Sequence, residues 1–513
     1  MNTSPDGRAA AISLRGIDKR FGTVHANRAI DLDVAPGTIH GIVGENGAGK
    51  STLMSILYGF YEADAGTVAI HGKTAAIRSS RDAIASGIGM VHQHFMLVEP
   101  FTVLENVMLG AEGGALLARG RDDIRARLKA LARDYALEVD PDAVVGDLPV
   151  GLQQRVEILK ALIRGADILI LDEPTGVLTP EEADHLFRIL RKLKEQEKTV
   201  LLITHKLREI MAVTDAVSVM RQGAMVAHLE TKATSVEDIA EAMVGRRVLL
   251  KVDKTTRPAG ESVLEARDLT VRDAKGIARL KSVSLSVRAG EIVGIAGVSG
   301  NGQSALLEAL CGMRRPSSGT VLLKGAPLPA DPALARRNGI AHVPEDRLRT
   351  GLVKAFEANE NTILGHQDDA ELGGLVSLSV DRVRRRARGQ MEAYDIRPPD
   401  CRLKTANFSG GNQQKIVIAR EVETDPDVLL VGQPTRGVDI GAIEFIHKRL
   451  IAMRDAGKAI LIVSVELEEI FALADRILVM CAGEIVGERI PSETDEREIG
   501  LMMAGLSGTE DAA

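Results

Sequence analysis

Gly44-Glu45-Asn46-Gly47-Ala48-Gly49-Lys50-Ser51-Thr52 fits the spacing G-x-x-x-x-G-K-[ST], between an apolar run, Ile39–Val43, and a helical pattern opening near Ser51. Glycines so placed let backbone N–H groups converge on the β- and γ-phosphates of a nucleotide. The helix N-terminus adds its positive dipole end, Lys50 neutralises charge, and the Ser51 hydroxyl is placed to ligate Mg2+. A bare tight turn is the alternative reading of these glycines, and the strand-to-helix setting speaks against it. A second group stands at Ile168-Leu-Ile-Leu-Asp172-Glu173-Pro174, where a buried apolar run ends in two carboxylates. Ligands bind at such strand ends in open α/β sheets. Asp172 suits Mg2+ through water, and Glu173 could orient or deprotonate a water attacking the γ-phosphoryl group; acids before a proline can also simply end a strand. His205, after Thr199–Thr204, sits at another such end and could donate to the γ-phosphate, or be a structural histidine.

These groups need elements that bring them together. Short Val/Ile/Leu-rich runs alternate with longer helical patterns: Ile39–Val43, Asp167–Leu171 and Thr199–Ile203, then Ile292–Ile295, Asp427–Val431 and Ala459–Val463. Continuous apolar runs indicate strands buried on both faces, as in a mainly parallel sheet flanked by helices. Alternation at Ala11–Leu14 and Ile30–Val34 adds an antiparallel part, so the fold class is α/β. The plan repeats after roughly 255 residues. Thr38–Gly49 matches Glu291–Gly302, and Ala65-Gly-Thr-Val, Glu105-Asn-Val-Met and Pro174-Thr have counterparts at Ser318-Gly-Thr-Val, Glu360-Asn-Thr-Ile and Pro434-Thr. Between the copies Lys251–Gly260 is polar, with Pro and Gly and no hydrophobic periodicity. Expected boundaries are a first domain over 8–248, a linker over 249–260 and a second domain over 261–508.

With 513 residues, 45% of them hydrophobic, the chain has ample core for several domains. Its formal charge of −7 lacks the basic excess of a nonspecific nucleic-acid binder, so nucleic acid is not expected as a partner. The arginine runs, Arg382–Arg388 and Arg119, Arg121, Arg125 and Arg127, read as solvated helix faces. No apolar stretch is long enough to span a membrane, and the N-terminus has no signal-peptide core. Cys311, Cys401 and Cys481 lie far apart without metal-ligand spacing, and read as reduced thiols.

The loop Gly44–Thr52, Gln93 after Met90-Val-His, Asp172-Glu173, His205 and the segment Phe408-Ser409-Gly410-Gly411-Asn412-Gln413-Gln414 together resemble the nucleotide-binding subunits of ABC transporters. The last segment is similar to their LSGGQ signature, and the resemblance runs over both halves. It implies two tandem P-loop ABC ATPase domains, each with a mainly parallel sheet core, an antiparallel β part and a helical subdomain, the last over 94–147 and 346–407. ATP and Mg2+ are the implied cofactors. The family implies a head-to-tail pair in which ATP lies between the phosphate loop of one half and the signature of the other. It assigns Phe21 to the adenine, Gln93 to the metal and catalysis, Lys50, Glu173 and His205 to catalysis, Ser51 and Asp172 to the metal, and Ser409, Gly410, Gly411 and Gln413 to the nucleotide.

By the same resemblance the halves are unequal. In the second, Gln303, Glu345, Gly432, Gln433 and Val465 replace Lys50, Gln93, Asp172, Glu173 and His205, and Asp273 stands for Phe21. That half is expected to have lost charge neutralisation, metal support and base together. The first half's signature segment, Leu148-Pro-Val-Gly-Leu-Gln-Gln154, lacks the Ser-Gly-Gly core. Asp439 matches the family's inter-half aspartate, where the first half has Thr179.

Fused halves with FSGGNQQK and PTRGVD resemble the ATPases of bacterial simple-sugar importers, and Val91–Val98 and Leu148–Ile158 are closer to their nucleoside-importing branch. The implied partners are two transmembrane permease subunits and, through them, an extracytoplasmic substrate-binding protein. The chain would sit peripherally on the cytoplasmic face of the inner membrane. Expected cargo is nucleoside first and ribose- or galactose-like sugar second. Fused ABC proteins that act on ribosomes form another class, set apart by two intact sites and a long charged helical insert that this sequence lacks.

Overall fold

The computed structural model describes residues 9–22, 24–92, 96–109, 117–176, 178, 180–247, 254–255, 257–298, 300–373, 377–438 and 440–505. Gln93, Thr179, Asp439 and much of the expected linker lie outside the described residues. The chain divides into two units, 1–248 and 249–513.

The first unit contains β1 (Ile12–Phe21), β2 (Val24–Val34), β3 (Ile39–Gly44), β4 (Ala65–Ile70), β5 (Lys73–Thr74), β6 (Ile88–Val91), β7 (Ile168–Asp172), β8 (Thr199–Ile203), β9 (Ala216–Arg221) and β10 (Ala224–Glu230). A four-stranded sheet runs β2-β1-β4-β5 and a six-stranded one β10-β9-β3-β8-β7-β6. The larger sheet is parallel except for β10, which pairs antiparallel with β9. Strand β3 is buried throughout and β7 up to its last residue, as continuous apolar runs require.

The antiparallel strands are longer than the alternation at Ala11–Leu14 and Ile30–Val34 indicates. Register shifts between Leu14 and Ile17, Ile17 and Lys19, and Lys19 and Arg20 break the alternation while pairing continues to Phe21. Bulges of this kind re-aim side chains, and these set the direction in which β1 delivers Phe21. Helix Lys50–Leu57 lies under the smaller sheet: Leu53, Met54, Ile56 and Leu57 share one core with Ile12, Leu14, Ile30, Ile42, Ile170 and Leu201. A buried Leu or Ile contributes about 2 kcal/mol, so this core fixes the helix start on which the phosphate loop ends. Helices Val103–Met108, Leu117–Asp134 and Val150–Ile163 supply the helical part, and Arg125 there pairs with Asp142 at 2.6 Å.

The second unit repeats the design with β11 (Ser262–Arg272), β12 (Ala278–Arg288), β13 (Ile292–Ala296), β14 (Ser318–Leu323), β15 (Ala326–Pro327), β16 (Ile340–Val343), β17 (Val428–Gly432), β18 (Ala459–Ser464), β19 (Arg476–Cys481) and β20 (Glu484–Arg489). Its sheets run β12-β11-β14-β15 and β16-β17-β18-β13-β19-β20. Along helix Val380–Ala393, Val383, Ala387, Gln390 and Met391 are buried, so most arginines of Arg382–Arg388 face outward. Arg386 pairs with Asp369 at 2.8 Å.

Candidate functional site

In the first unit β3, β8 and β7 are neighbours and run the same way, so the loops after Gly44, Ile203 and Asp172 open at one sheet edge. That order carries Gly44–Thr52, Thr204-His205 and Asp172-Glu173 to one place from widely separated stretches of sequence.

Gly49 has φ +98°, and a Cβ there would run into the Ala26 carbonyl, so the loop needs glycine at its end. Gly49 is also the N-cap of Lys50–Leu57 and gives no side-chain cap, which leaves the first helical N–H groups to an anion. Asn27 holds the turn from behind, its amide donating to the Gly49 carbonyl at 3.1 Å. Lys50 is buried and its ammonium donates to the carbonyls of Gly44 at 2.6 Å and Glu45 at 3.1 Å. Burial pushes its pKa down, opposed by the charges of Glu173, Asp172 and Glu45. Ser51 is exposed at the loop's exit, followed by half-buried Thr52, while Glu45, Asn46, Gly47 and Ala48 make the arch.

The two carboxylates have diverging environments. Burial, reinforced by the charge of Glu173, pushes Asp172 up. Glu173 is pulled down by the hydrogen bond it makes with His205 Nδ1 at 3.0 Å, against its own burial. Shifts of opposite sign give these adjacent acids different roles, the hydrogen bond favouring the ionised form of Glu173. Glu173 also has φ +47°, a left-handed backbone unusual for a non-glycine residue, and its amide donates to the Ile203 carbonyl at 2.8 Å.

Phe21 projects at the end of β1, 42% exposed. The Tyr61 ring meets it edge-on at 5.1 Å between centroids, and Lys19 Nζ lies over it at 5.6 Å. At the corresponding hairpin of the second unit Asp273 accepts from the amides of Lys275 at 2.9 Å and Ile277 at 3.0 Å and from Arg279, so it closes a turn instead of offering a ring.

Ser409 caps helix Gly410–Val422, its hydroxyl oxygen accepting from the Asn412 amide and, at 2.8 Å, from Asn412 Nδ2. With the oxygen engaged, the O–H proton points elsewhere. Gly411 is buried, and Gln413 turns inward, its amide donating to Thr405 at 3.0 Å and Phe408 at 3.1 Å. In the first unit Pro149 stands at the equivalent cap and makes no side-chain bond.

Glu209 escaped sequence reading. Its buried carboxylate accepts from the hydroxyls of Thr175 and Thr204, the latter at 3.0 Å, and so ties the turn after β7 to the turn after β8. A Glu one turn into a short helix looks like solvent-facing charge in sequence, and only its spacing after Thr204-His205 marks it.

In the second unit Gln303 Nε2 donates to the Val298 carbonyl at 3.0 Å, much as Lys50 does to Gly44 and Glu45. Gln433 keeps the left-handed turn at φ +49°, with its amide on the Val463 carbonyl at 2.7 Å. The Val465 amide donates to its side-chain oxygen at 3.4 Å.

Residues 28–176 and 280–436 match the ABC transporter family model. The chain belongs to the ABC transporter family. Over 500 residues it is 46% identical to the guanosine import ATP-binding protein NupO of Bacillus subtilis (97% of this chain, 98% of that one). It is 44% identical over 495 residues to the nucleoside import ATP-binding protein NupA of Lactococcus lactis subsp. cremoris (96% and 98%). It is also 44% identical over 529 residues to the glucose import ATP-binding protein TsgD13 of Haloferax volcanii (97% and 96%). Among solved structures, archaeal ribosome recycling factor aABCE1, crystallised with the stalk protein aP1, has a TM-score of 0.59 at 20% identity (90% of this chain, 87% of that one), a likeness of fold. This ABC chain is therefore a transport ATPase with two ABC units that use ATP. Among the described residues no helix is long and apolar enough to cross a membrane.

Proposed function

We propose that this chain hydrolyses ATP at its first unit to drive nucleoside uptake through a partner permease. The observation that carries the chemistry is the Glu173–His205 pair at one sheet edge with Lys50 and its phosphate loop. Glu173, kept ionised by its bond to His205, takes the proton of the water that attacks the γ-phosphorus. Lys50 moves from its two loop carbonyls onto the phosphate oxygens, and the helix N–H groups hold the remaining charge. Oxygen ligands from Ser51, Asp172 and Gln93 suit Mg2+, which when bound neutralises phosphate charge. Phe21 takes the adenine on its face. Ser409 donates its hydroxyl proton to a γ-phosphate, with Gly410, Gly411 and Gln413 shaping that segment.

The active unit covers 8–248 and the altered one 261–508, joined by 249–260. The assembly comprises two permease subunits and an external substrate-binding protein, with this chain on the cytoplasmic face of the membrane. Identity of 46% to a guanosine importer supports nucleoside cargo; 44% to a glucose importer supports simple sugars as the second reading.

Two measurements test the proposal. Glu173→Gln should cut turnover at least about 100-fold while ATP stays bound, whereas Gln433→Ala should keep most hydrolysis. Equal losses would remove the one-site assignment, and an unchanged rate in Ser409→Ala would remove the role given to the signature hydroxyl. ATP-driven uptake into vesicles holding this ATPase, its permease and binding protein, offered labelled nucleosides and free sugars in parallel, decides the cargo. Uptake of sugar alone would replace nucleoside.

A further inference from the structure

Helix Gly410–Val422 begins with a glycine for a reason that lies in two other segments. A Cβ on Gly410 would stand 2.7 Å from Arg347 Nη2 and 2.7 Å from the Gly437 carbonyl oxygen, closer than real Cβ atoms come. The second of these is backbone, so neither neighbour can be moved without opening the turn. Arg347 starts the turn Arg347–Gly351 after β16, and Gly437 lies in the turn after β17. The Arg347 guanidinium donates from Nη1 to the Arg436 carbonyl at 2.7 Å and from Nη2 to the Gly437 carbonyl at 3.4 Å. Segments far apart in sequence thus meet at the residue directly after the Ser409 cap.

Arg347 is itself held in place. The Asp346 carboxylate accepts from the amides of Leu348 at 3.0 Å and Arg349 at 3.1 Å, and its carbonyl accepts from the Thr350 hydroxyl at 2.9 Å. At the far end of the turn Arg420, on the same helix as Gly410, donates to the Gly351 carbonyl at 2.8 Å. Electrostatics oppose the arrangement. Arg347 Nε is buried with no hydrogen-bond partner among the described residues, and burial pushes the guanidinium pKa down, against the Asp346 charge. A cation beside a helix N-terminus also opposes the dipole there until an anion arrives. In the first unit Val150 stands where Gly410 does, and Phe95, outside the described residues, falls at the count of Arg347. Arginine and glycine therefore occur together, in the unit that keeps the signature serine.

The geometry points to Arg347 as a positioning residue for ATP hydrolysis: its guanidinium fixes the turn Arg436-Gly437 against Gly410 and so sets where the Ser409 hydroxyl presents its proton to a γ-phosphate. This rests on the role proposed above for Ser409. Arg347 acts through two backbone carbonyls and the start of a helix. Without the guanidinium the Gly437 turn and the Gly410 end of the helix lose their common anchor, and a shift of about 1 Å in a hydrogen-bond donor is enough to cost much of a rate.

The test is a double-mutant cycle on the ATPase rate of the full chain. Arg347→Ala should lower kcat by at least about tenfold and leave KM for ATP within about twofold. In a Ser409→Ala background the same change should lower kcat by less than about twofold, because the hydroxyl it positions is already gone. A general packing defect would instead add its full loss to that of Ser409→Ala. Arg347→Lys keeps the charge but not the two-pronged donor; it should lose at least about threefold, and it carries the same cycle where the alanine variant fails to fold. Unchanged kcat in both Arg347 variants, a rise in KM alone, or losses that multiply with that of Ser409→Ala overturn the assignment while the signature hydroxyl keeps its role. Unchanged kcat in Ser409→Ala by itself removes that role, and the assignment of Arg347 with it.

Discussion

At the scale of single residues, burial and one hydrogen bond decide which groups carry charge. The hydrogen bond from His205 favours the ionised form of Glu173, while burial disfavours that of Asp172. The same physics gives a stability prediction away from the site. His40 is buried, bonded to Ser218 at 2.8 Å, and Ser218 to His228 at 2.8 Å. Burial drives His40 down to about 4. Between the ordinary histidine value near 6.5 and that value, the unfolded chain binds a proton that the folded chain refuses. The stability present above about pH 6.5 is therefore lost as pH falls toward 4, by at most about 3 kcal/mol. Denaturant midpoints should show the unchanged chain losing more stability over that interval than His40→Gln, and parallel losses would refute this. Lys50, Glu173 and His205 were legible because each stands at a fixed offset from an apolar run. Glu209 and His40 were not, since what defines them is a partner brought in by folding.

At the scale of elements, side-chain ties join the strand ends at the candidate site. Glu209 joins the turns after β7 and β8. Glu209→Ala leaves the Thr175 and Thr204 hydroxyls without their acceptor, at a cost of about 1–3 kcal/mol. It should lower kcat far more than it raises KM for ATP, because the Lys50 loop hangs from β3 and is untouched. A rise in KM with unchanged kcat would show that Glu209 acts on binding. Partial rescue by Glu209→Gln is expected, since one amide oxygen still accepts. Strands β3, β7 and β8 could be read from sequence because continuous Val/Ile/Leu runs admit few other fates, whereas their order, with β8 between β3 and β7, comes from long-range pairing that leaves no local pattern. The full length of β1 could not, because its bulges erase the period-two signal over the residues that present Phe21.

At the scale of the molecule, each unit has its own apolar core: one centres on Leu53, Met54 and Ile42, the others on Leu430, Val463 and Ile295 and on Val431, Ile462 and Phe408. Units of this size bury most of their unfolded surface without help. Residues 1–248 and 249–513, produced separately, should each give a cooperative thermal transition, and a half that stays unfolded would show that its core is incomplete alone. Glu173 and Gln433 sit on the same left-handed turn, at φ +47° and +49°, each anchored to the neighbouring strand. A single polypeptide thus holds a reagent and its blank on matched backbone, in one solvent and at one temperature. Whatever heat, salt or crowding does to the turn itself is common to both, so a spectroscopic label on each would give, by subtraction within one sample, the part due to the side chain.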